Sequence, residues 1–429
     1  GLDWAILQAP NIEGYALVDA DITVQQNNDI IIKLKADLKN AAIDYAFLGF
    51  VKELKQNASA SADVTIKKDK ITAIKNINLQ KSGFNISGGL SMYPSGRVKS
   101  VDINQIKGPK TSARAKVSLT DSNNPQLKVD ISGLSYDLST FFEKVKEKRQ
   151  KDNKQLPVQE NDDDGLEKAN TTDIFMTVNR LWTNNSTPIQ NFAGSAKIRY
   201  GIGMDELHMV GNYGIDKSIK LKLDYIPKGN KEHYLTIDSN NAGSTLKVLR
   251  LYDNMVGGTM KIEARRQADK KFIGHMQVRD FSIQNAPVVA KLLSVASFTG
   301  MLDLLKGDGL TFTHFNAPFE YQYKILTLKQ AKAEGNVVGI TTDGTYNRAT
   351  DDIKMHGVIA PAYSINRFLG KIPVVGNLLA SKDGTIFAAT YKINGNADNA
   401  KVDINSLSML SPNSLKEWYA KNFGNETTY

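Results

Sequence analysis

Side chains of a β-strand point alternately to opposite faces, and what most constrains this chain is a recurring alternation of apolar residues with Lys, Asp, Asn or Ser, closed at Gly or Asn turns. In one stretch Ile219, Leu221, Leu223 and Tyr225 alternate with Lys220, Lys222 and Asp224; in another Ile32, Leu34, Ala36 and Leu38 alternate with Lys33, Lys35, Asp37 and Lys39. The pattern predicts a mainly β protein of long antiparallel sheets, each with one apolar and one wet face, with a few short amphipathic helices. What the apolar face covers decides the function.

Aromatic residues make up 8% of the 429 residues and the mean hydropathy is −0.33, which leaves little to fill a thick globule. No run reaches the roughly 20 apolar residues of a spanning helix. The start, Gly1-Leu-Asp-Trp, has no basic region before an apolar core, so the chain reads as mature or as cut from something longer. The absence of cysteine excludes disulfides, thiolate metal ligands and cysteine nucleophiles. A net charge of +9 suits anionic lipid or nucleic acid, but lysines alternating along strands are also what exposed sheet faces carry. The basic clusters at 263–266 and 144–154 lack interleaved aromatics, so no nucleic-acid partner is expected.

Four segments follow from the text: an N-terminal β-groove segment at 1–142, a charged linker or insertion at 143–172, a middle β-groove segment at 173–284, and a C-terminal region at 285–429 that carries amphipathic helices. The insertion continues a short helix begun near Ser139 with Glu143-Lys-Val-Lys-Glu-Lys-Arg-Gln-Lys, then turns acidic at Gln159-Glu-Asn-Asp-Asp-Asp-Gly. It reads as a solvated loop that a short Gly-Ser linker replaces without loss. Helices are expected at 244–255, at 287–297 with a continuation at 301–305, and at 414–423, with a short apolar segment at 365–379. In the strongest, Val288, Val289, Leu292 and Leu293 stand opposite Lys291, Ser294 and Ser297 behind an Asn285-Ala-Pro cap. Over 286–305, ten Leu, Val, Phe and Met gain about 5 kcal/mol in a bilayer, and Lys291 with Asp303 cancels that gain. The helix therefore lies on something: a membrane surface, with those four residues as contact candidates, or the groove end, which it plugs.

Chemistry is sparse. The five histidines, His208, His233, His275, His314 and His356, stand singly in strand text without ligand-spaced partners. Gly201-Ile-Gly-Met-Asp is a turn, since no third Gly or helix follows it, and Asp162 to Asp164 lacks the alternate spacing of a calcium loop. No catalytic residue, metal or cofactor is expected.

Between about Ser282 and Trp418, six ordered motifs stand: Asn285-Ala-Pro-Val-Val-Ala-Lys-Leu-Leu-Ser-Val-Ala-Ser-Phe-Thr-Gly, Gly309-Leu-Thr-Phe, Val338-Gly-Ile-Thr-Thr-Asp-Gly, Gly357-Val-Ile-Ala-Pro-Ala-Tyr-Ser-Ile-Asn, Ile372-Pro-Val-Val-Gly-Asn-Leu-Leu and Phe387-Ala-Ala-Thr-Tyr-Lys-Ile-Asn-Gly. They resemble the C-terminal region of YhdP-like members of the AsmA superfamily, a likeness that implies a long curved antiparallel sheet forming an extended hydrophobic groove, with a few short amphipathic helices. Ser406 stands where that family usually carries Pro. The resemblance implies a non-enzymatic phospholipid conduit in the periplasm of a Gram-negative bacterium, running between inner and outer membranes and tethered to the inner one by an N-terminal helix absent from this chain. Its partners are then phospholipid and a membrane surface, with other envelope proteins as further candidates. Acyl chains lie along the face that carries Ile32, Leu34, Ile219, Leu221, Leu223 and Tyr225, each sheltered methylene contributing about 0.8 kcal/mol. Some 25 strands at about 4.8 Å extend about 120 Å if continuous. The competing expectation is an envelope scaffold or adhesin-like β protein with a closed, packed core.

Overall fold

The computed structural model describes residues 11–122, 126–144, 171–184, 187–199, 203–214, 217–249, 251–295, 305, 307–361, 389–397 and 399–406. The protein is mainly β, 69% strand and 8% helix, with 21 strands in one mixed sheet that is not closed. It folds as two compact units, Gly1–Ile226 and Pro227–Tyr429, which divide the strands expected at 173–284 between them.

The first unit opens with β1 (Asn11–Gly14), β2 (Leu17–Val24), β3 (Ile30–Asp37), β4 (Ala41–Tyr45) and β5 (Phe50–Lys52). It continues through β6 (Ala58–Lys67), β7 (Lys70–Lys81), β8 (Phe84–Met92), β9 (Val98–Lys107), β10 (Ser112–Leu119) and β11 (Leu127–Asp137). Then come β12 (Thr171–Trp182), β13 (Ile189–Arg199), β14 (Gly203–Tyr213) and most of β15 (Ile219–Gly229). Strands β1, β4 and β5 form a small sheet of their own, and the others pair with their neighbours in chain order. Short polar turns between alternating stretches make this the economical topology, because antiparallel neighbours need few connecting residues.

One ladder departs from the expected antiparallel order. β12 runs parallel to β11, with Leu127 opposite Thr172 and Asp137 opposite Trp182. Parallel neighbours need a crossover of a dozen residues or more, and 138–170 supplies it. The chain leaves β11 at Asp137 and re-enters beside Leu127, so the crossover must span the eleven residues of β11, about 35 Å. The charged insertion is therefore not replaceable by a linker of a few residues, contrary to the expectation from its composition. Its 145–170 portion lies outside the described residues.

The second unit holds β16 (Glu232–Ser239), α1 (Ala242–Val248), β17 (Met255–Arg266), β18 (Phe272–Ile283) and α2 (Pro287–Val295), then β19 (Leu310–Gln322), β20 (Ile325–Gly335), β21 (Val338–Asn347), β22 (Asp352–Pro361), β23 (Ala389–Asn396) and β24 (Lys401–Ser406). All its ladders are antiparallel and in chain order. α1 starts earlier than the expected 244–255, because the Asn241 side chain accepts from the Ser244 amide at 2.9 Å and caps the first turn. It lies over β17 and β18 with Thr245 and Leu246 buried. α2 packs against β24, where Lys291 Nζ donates to Asn399 Oδ1 at 2.8 Å and to the Ala400 carbonyl at 3.2 Å. Leu292 and Leu293 are 3% and 0% exposed, whereas Val288 and Val289 are half-buried. The stripe packs inward through its two leucines, while its two valines keep part of their surface. The expected elements at 301–304, 365–379 and 414–423 lie outside the described residues.

Candidate functional site

The site is a face, and its construction starts from register. In the first unit, one residue per strand stands opposite the next across twelve strands: Ile22, Ile32, Val64, Ile74, Leu90, Val101, Val117, Val129, Ile174, Ala196, Leu207 and Tyr225. Every member is hydrophobic. A path along this row crosses eleven strand spacings, about 50 Å. A one-residue slip in any ladder would turn the rest of the row to the wet side, so the twelve alternations agree on one face.

That face is graded along the strand direction. At the end marked by Tyr136, Ile189 and Tyr213 it is closed: Ile106, Ile131, Val178, Leu181 and Ile189 are at most 2% exposed. Over β7, β8 and β11 the small sheet and its neighbours supply the closure. Phe50 meets Phe84 edge-on at 5.7 Å, Phe47 packs against Phe141 at 5.9 Å, and the buried Tyr136 hydroxyl donates to the Phe47 carbonyl at 2.8 Å. Lys52, 1% exposed, donates to the carbonyls of Ala41, Glu53 and Lys39 and so joins β5 to β4 through its own side chain. Lys81 reaches the Val51 carbonyl over the rings of Phe50 and Phe84; burial and then the charge of Lys52 push its ammonium below the usual range. Toward the other strand end the face opens. Ile74, Leu90, Val101, Val117, Val129 and Ile174 are half-buried by their own neighbours, and Ile22 on the edge strand is 66% exposed.

The opposite face is held by charge. Asp21, Lys33, Asp63 and Lys75 alternate in sign across four strands, as do Asp102, Lys116 and Asp130 across three. Farther along, His208 lies between two carboxylates, Nδ1 at 2.7 Å from Asp224 and Nε2 at 2.9 Å from Glu206. The Asp224 bond first, and the Glu206 bond next, raise its pKa. Both ring nitrogens thus face carboxylates, and no group of His, Asp and Glu among the described residues is arranged to hold a metal.

The second unit repeats the scheme. Met260, Val278, Phe315, Ala333, Ile340, Ile359 and Ala389 stand in register over seven strands. The end carrying Phe281, Leu310, Phe312, Val338 and Ile359 is closed, and α1 and α2 pack within this unit. Tyr391 stands opposite Gly357, and its hydroxyl donates to the Thr341 carbonyl at 2.9 Å and also bonds Thr342; burial pushes its pKa up to about 12. On the polar side, a depression of about 280 Å³ is lined by Glu263, His275, Glu320 and Lys329, but Glu320 is engaged by Lys271 and Lys329.

Of the residues named from sequence, Ile32 and Tyr225 belong to the twelve-residue row, and Leu34, Leu221 and Leu223 lie two or four positions from it on the same face. Ile32, Leu34 and Ile219 are half-buried, whereas Leu221, Leu223 and Tyr225 are 3%, 7% and 8% exposed. Alternation alone assigns the face but not the depth. The half-buried residues of β7 to β11 went unnamed because their strands carry bulges, at Asn76 for example (φ 50°), that interrupt the period. Comparison with known families, curated proteins and solved structures finds no match to this chain, so the AsmA-like resemblance is carried by its motifs alone.

Proposed function

We propose that the chain is a non-enzymatic carrier of phospholipid, its apolar face receiving acyl chains and passing them along the sheet between the inner and outer membranes of a Gram-negative envelope. The observation that carries this reading is the twelve-strand apolar row of the first unit, closed at one strand end and half-open at the other. Such a face shelters hydrocarbon at one end and leaves a headgroup in water at the other, and transfer along equivalent strands needs no chemical step. The six motifs from 285 to 395 point the same way. Mass spectrometry of lipid extracted from the purified chain tests it: two-tailed phospholipid in stoichiometric amount is expected, and its absence from protein prepared without detergent overturns the reading.

A second reading, an envelope scaffold whose apolar faces pack on themselves, is favoured by the closed ends, where Ile106, Ile189, Leu310 and Val338 are fully buried. It predicts a dry face throughout and no extractable lipid.

A further inference from the structure

The open strand end of the second unit carries a feature that the alternating pattern does not require. Four hairpin turns lie level there, because register fixes their flanking residues: Arg266 opposite His233 and Phe272, Tyr321 opposite Phe272 and Leu326, and Tyr346 opposite Leu326 and Ile353. Three of the turns place a lysine in the left-handed backbone region: Lys231 (φ 61°), Lys270 (φ 66°) and Lys324 (φ 66°). Side chains other than Gly, Asn and Asp are uncommon there, and hairpin tips ordinarily use those three residues. The fourth turn carries an exposed Arg348 beside Asp351 (φ 58°).

The turns are also tied to one another. Arg266 donates to the Lys231 carbonyl at 3.4 Å, Gln322 to the Asp269 carbonyl at 2.9 Å, the Arg348 amide to the Lys324 carbonyl at 2.9 Å, and the Ala397 amide to the Asp351 carbonyl at 2.8 Å. The cations therefore stand on a braced edge, two strand widths or about 10 Å apart. Carboxylates stand among them: Glu232 pairs with Arg265, Asp351 accepts from the Tyr346 hydroxyl, Asp352 from Thr350, and Asp269 from the Lys271 amide. Just behind the turns lie Phe272, Tyr321, Leu326, Tyr346 and Ile353, all half-buried on the apolar face, and Tyr323 projects from one tip at 81% exposure.

We infer that this row of turns is a docking edge for the phosphate-bearing surface of an anionic phospholipid bilayer. Cations at the tips meet headgroup phosphates, Tyr323 sits at the depth where its ring is apolar and its hydroxyl wet, and the apolar face begins immediately behind. Nucleic acid would use the same cations, but stacking needs an aromatic at successive positions, and Lys270 and Arg348 occupy the equivalent tips.

The inference deepens the proposed carriage of phospholipid and rests on it for the use to which docking is put. The test is co-sedimentation of the chain with vesicles of phosphatidylcholine alone and of phosphatidylcholine and phosphatidylglycerol in equal parts, for the wild type, for a Lys231→Asn, Lys270→Asn, Lys324→Asn variant and for the matching Lys→Arg variant. Asn tolerates the left-handed region, so the first variant removes charge without straining the turns. Binding to the anionic vesicles is expected to fall on the order of a hundredfold in the Asn variant with unchanged or higher thermal stability, and to persist in the Arg variant. Undiminished vesicle binding by the Asn variant, or duplex DNA bound as tightly as anionic vesicles by the wild type, overturns the inference. Lipid extraction on the same preparations separates the two claims. Vesicle binding with no extractable lipid contradicts carriage and keeps the docking edge, whereas extractable lipid with charge-independent vesicle binding does the reverse.

Discussion

Gly357 shows how closely single residues are held. A Cβ there would stand 1.8 Å from the Thr341 carbonyl oxygen and 2.9 Å from the Tyr391 hydroxyl, in a strand with no slack. Gly357→Ala is expected to cost at least roughly 1–3 kcal/mol and to lower the melting temperature by several degrees in a thermal scan, with Tyr391→Phe much milder. His208 gives a pH signature of known sign. Its folded pKa lies above its ordinary 6.5, so the stability it contributes is fully present below that value and is lost as pH rises through the raised folded value. Denaturant midpoints should therefore decline slightly from mildly acidic to mildly alkaline pH, by a small amount since the side chain is 40% exposed, and His208→Gln should flatten the decline. Neither site was legible in sequence. A lone Gly and a lone His in strand text carry no mark of the residue that register places across from them.

Elements were legible to the extent that period and caps encode them. The alternation of Ile219 to Tyr225 lies in β15 and that of Ile32 to Asp37 in β3, with Leu38 just past its end, because period two survives any choice of partner. Strand direction does not leave such a trace, so the parallel entry of β12 beside β11 was invisible, and with it the span that the crossover must cover. Replacing 145–170 with a flexible linker of about fifteen residues should preserve the melting temperature, whereas about four residues reach across 35 Å only if the 139–144 turn with its buried Phe141 unwinds, and should disrupt the β11–β12 ladder, read as lost amide-exchange protection at Ile131 and Met176. Helix α2 makes the complementary case: its stripe was plain, but what the stripe meets was not. Since Leu293 is fully buried, Leu293→Ala should cost about 2–5 kcal/mol, while Val288→Ser, at a half-buried position, should cost much less.

At the scale of the whole molecule, each unit presents one charged face and one apolar face, and the two differ in what they have left to offer. The charged face spends its side chains on cross-strand pairs such as Lys116 with Asp102 at 3.6 Å. The apolar face is closed at one strand end by residues that sequence alone could not assign there: Phe47, Phe50 and Val51 lie some 30 residues or more in the chain from the strands they meet, and no periodicity announces that contact. The half-open row that remains is where the proposed acyl chains lie. Photocrosslinking from a benzophenone amino acid placed at Val117, on that row, and at the neighbouring Lys116, on the charged face, tests this most directly. Lipid captured from Val117 and not from Lys116, in protein purified from a Gram-negative host, is the result the account predicts; capture of protein alone from Val117, or of lipid equally from both positions, would contradict it.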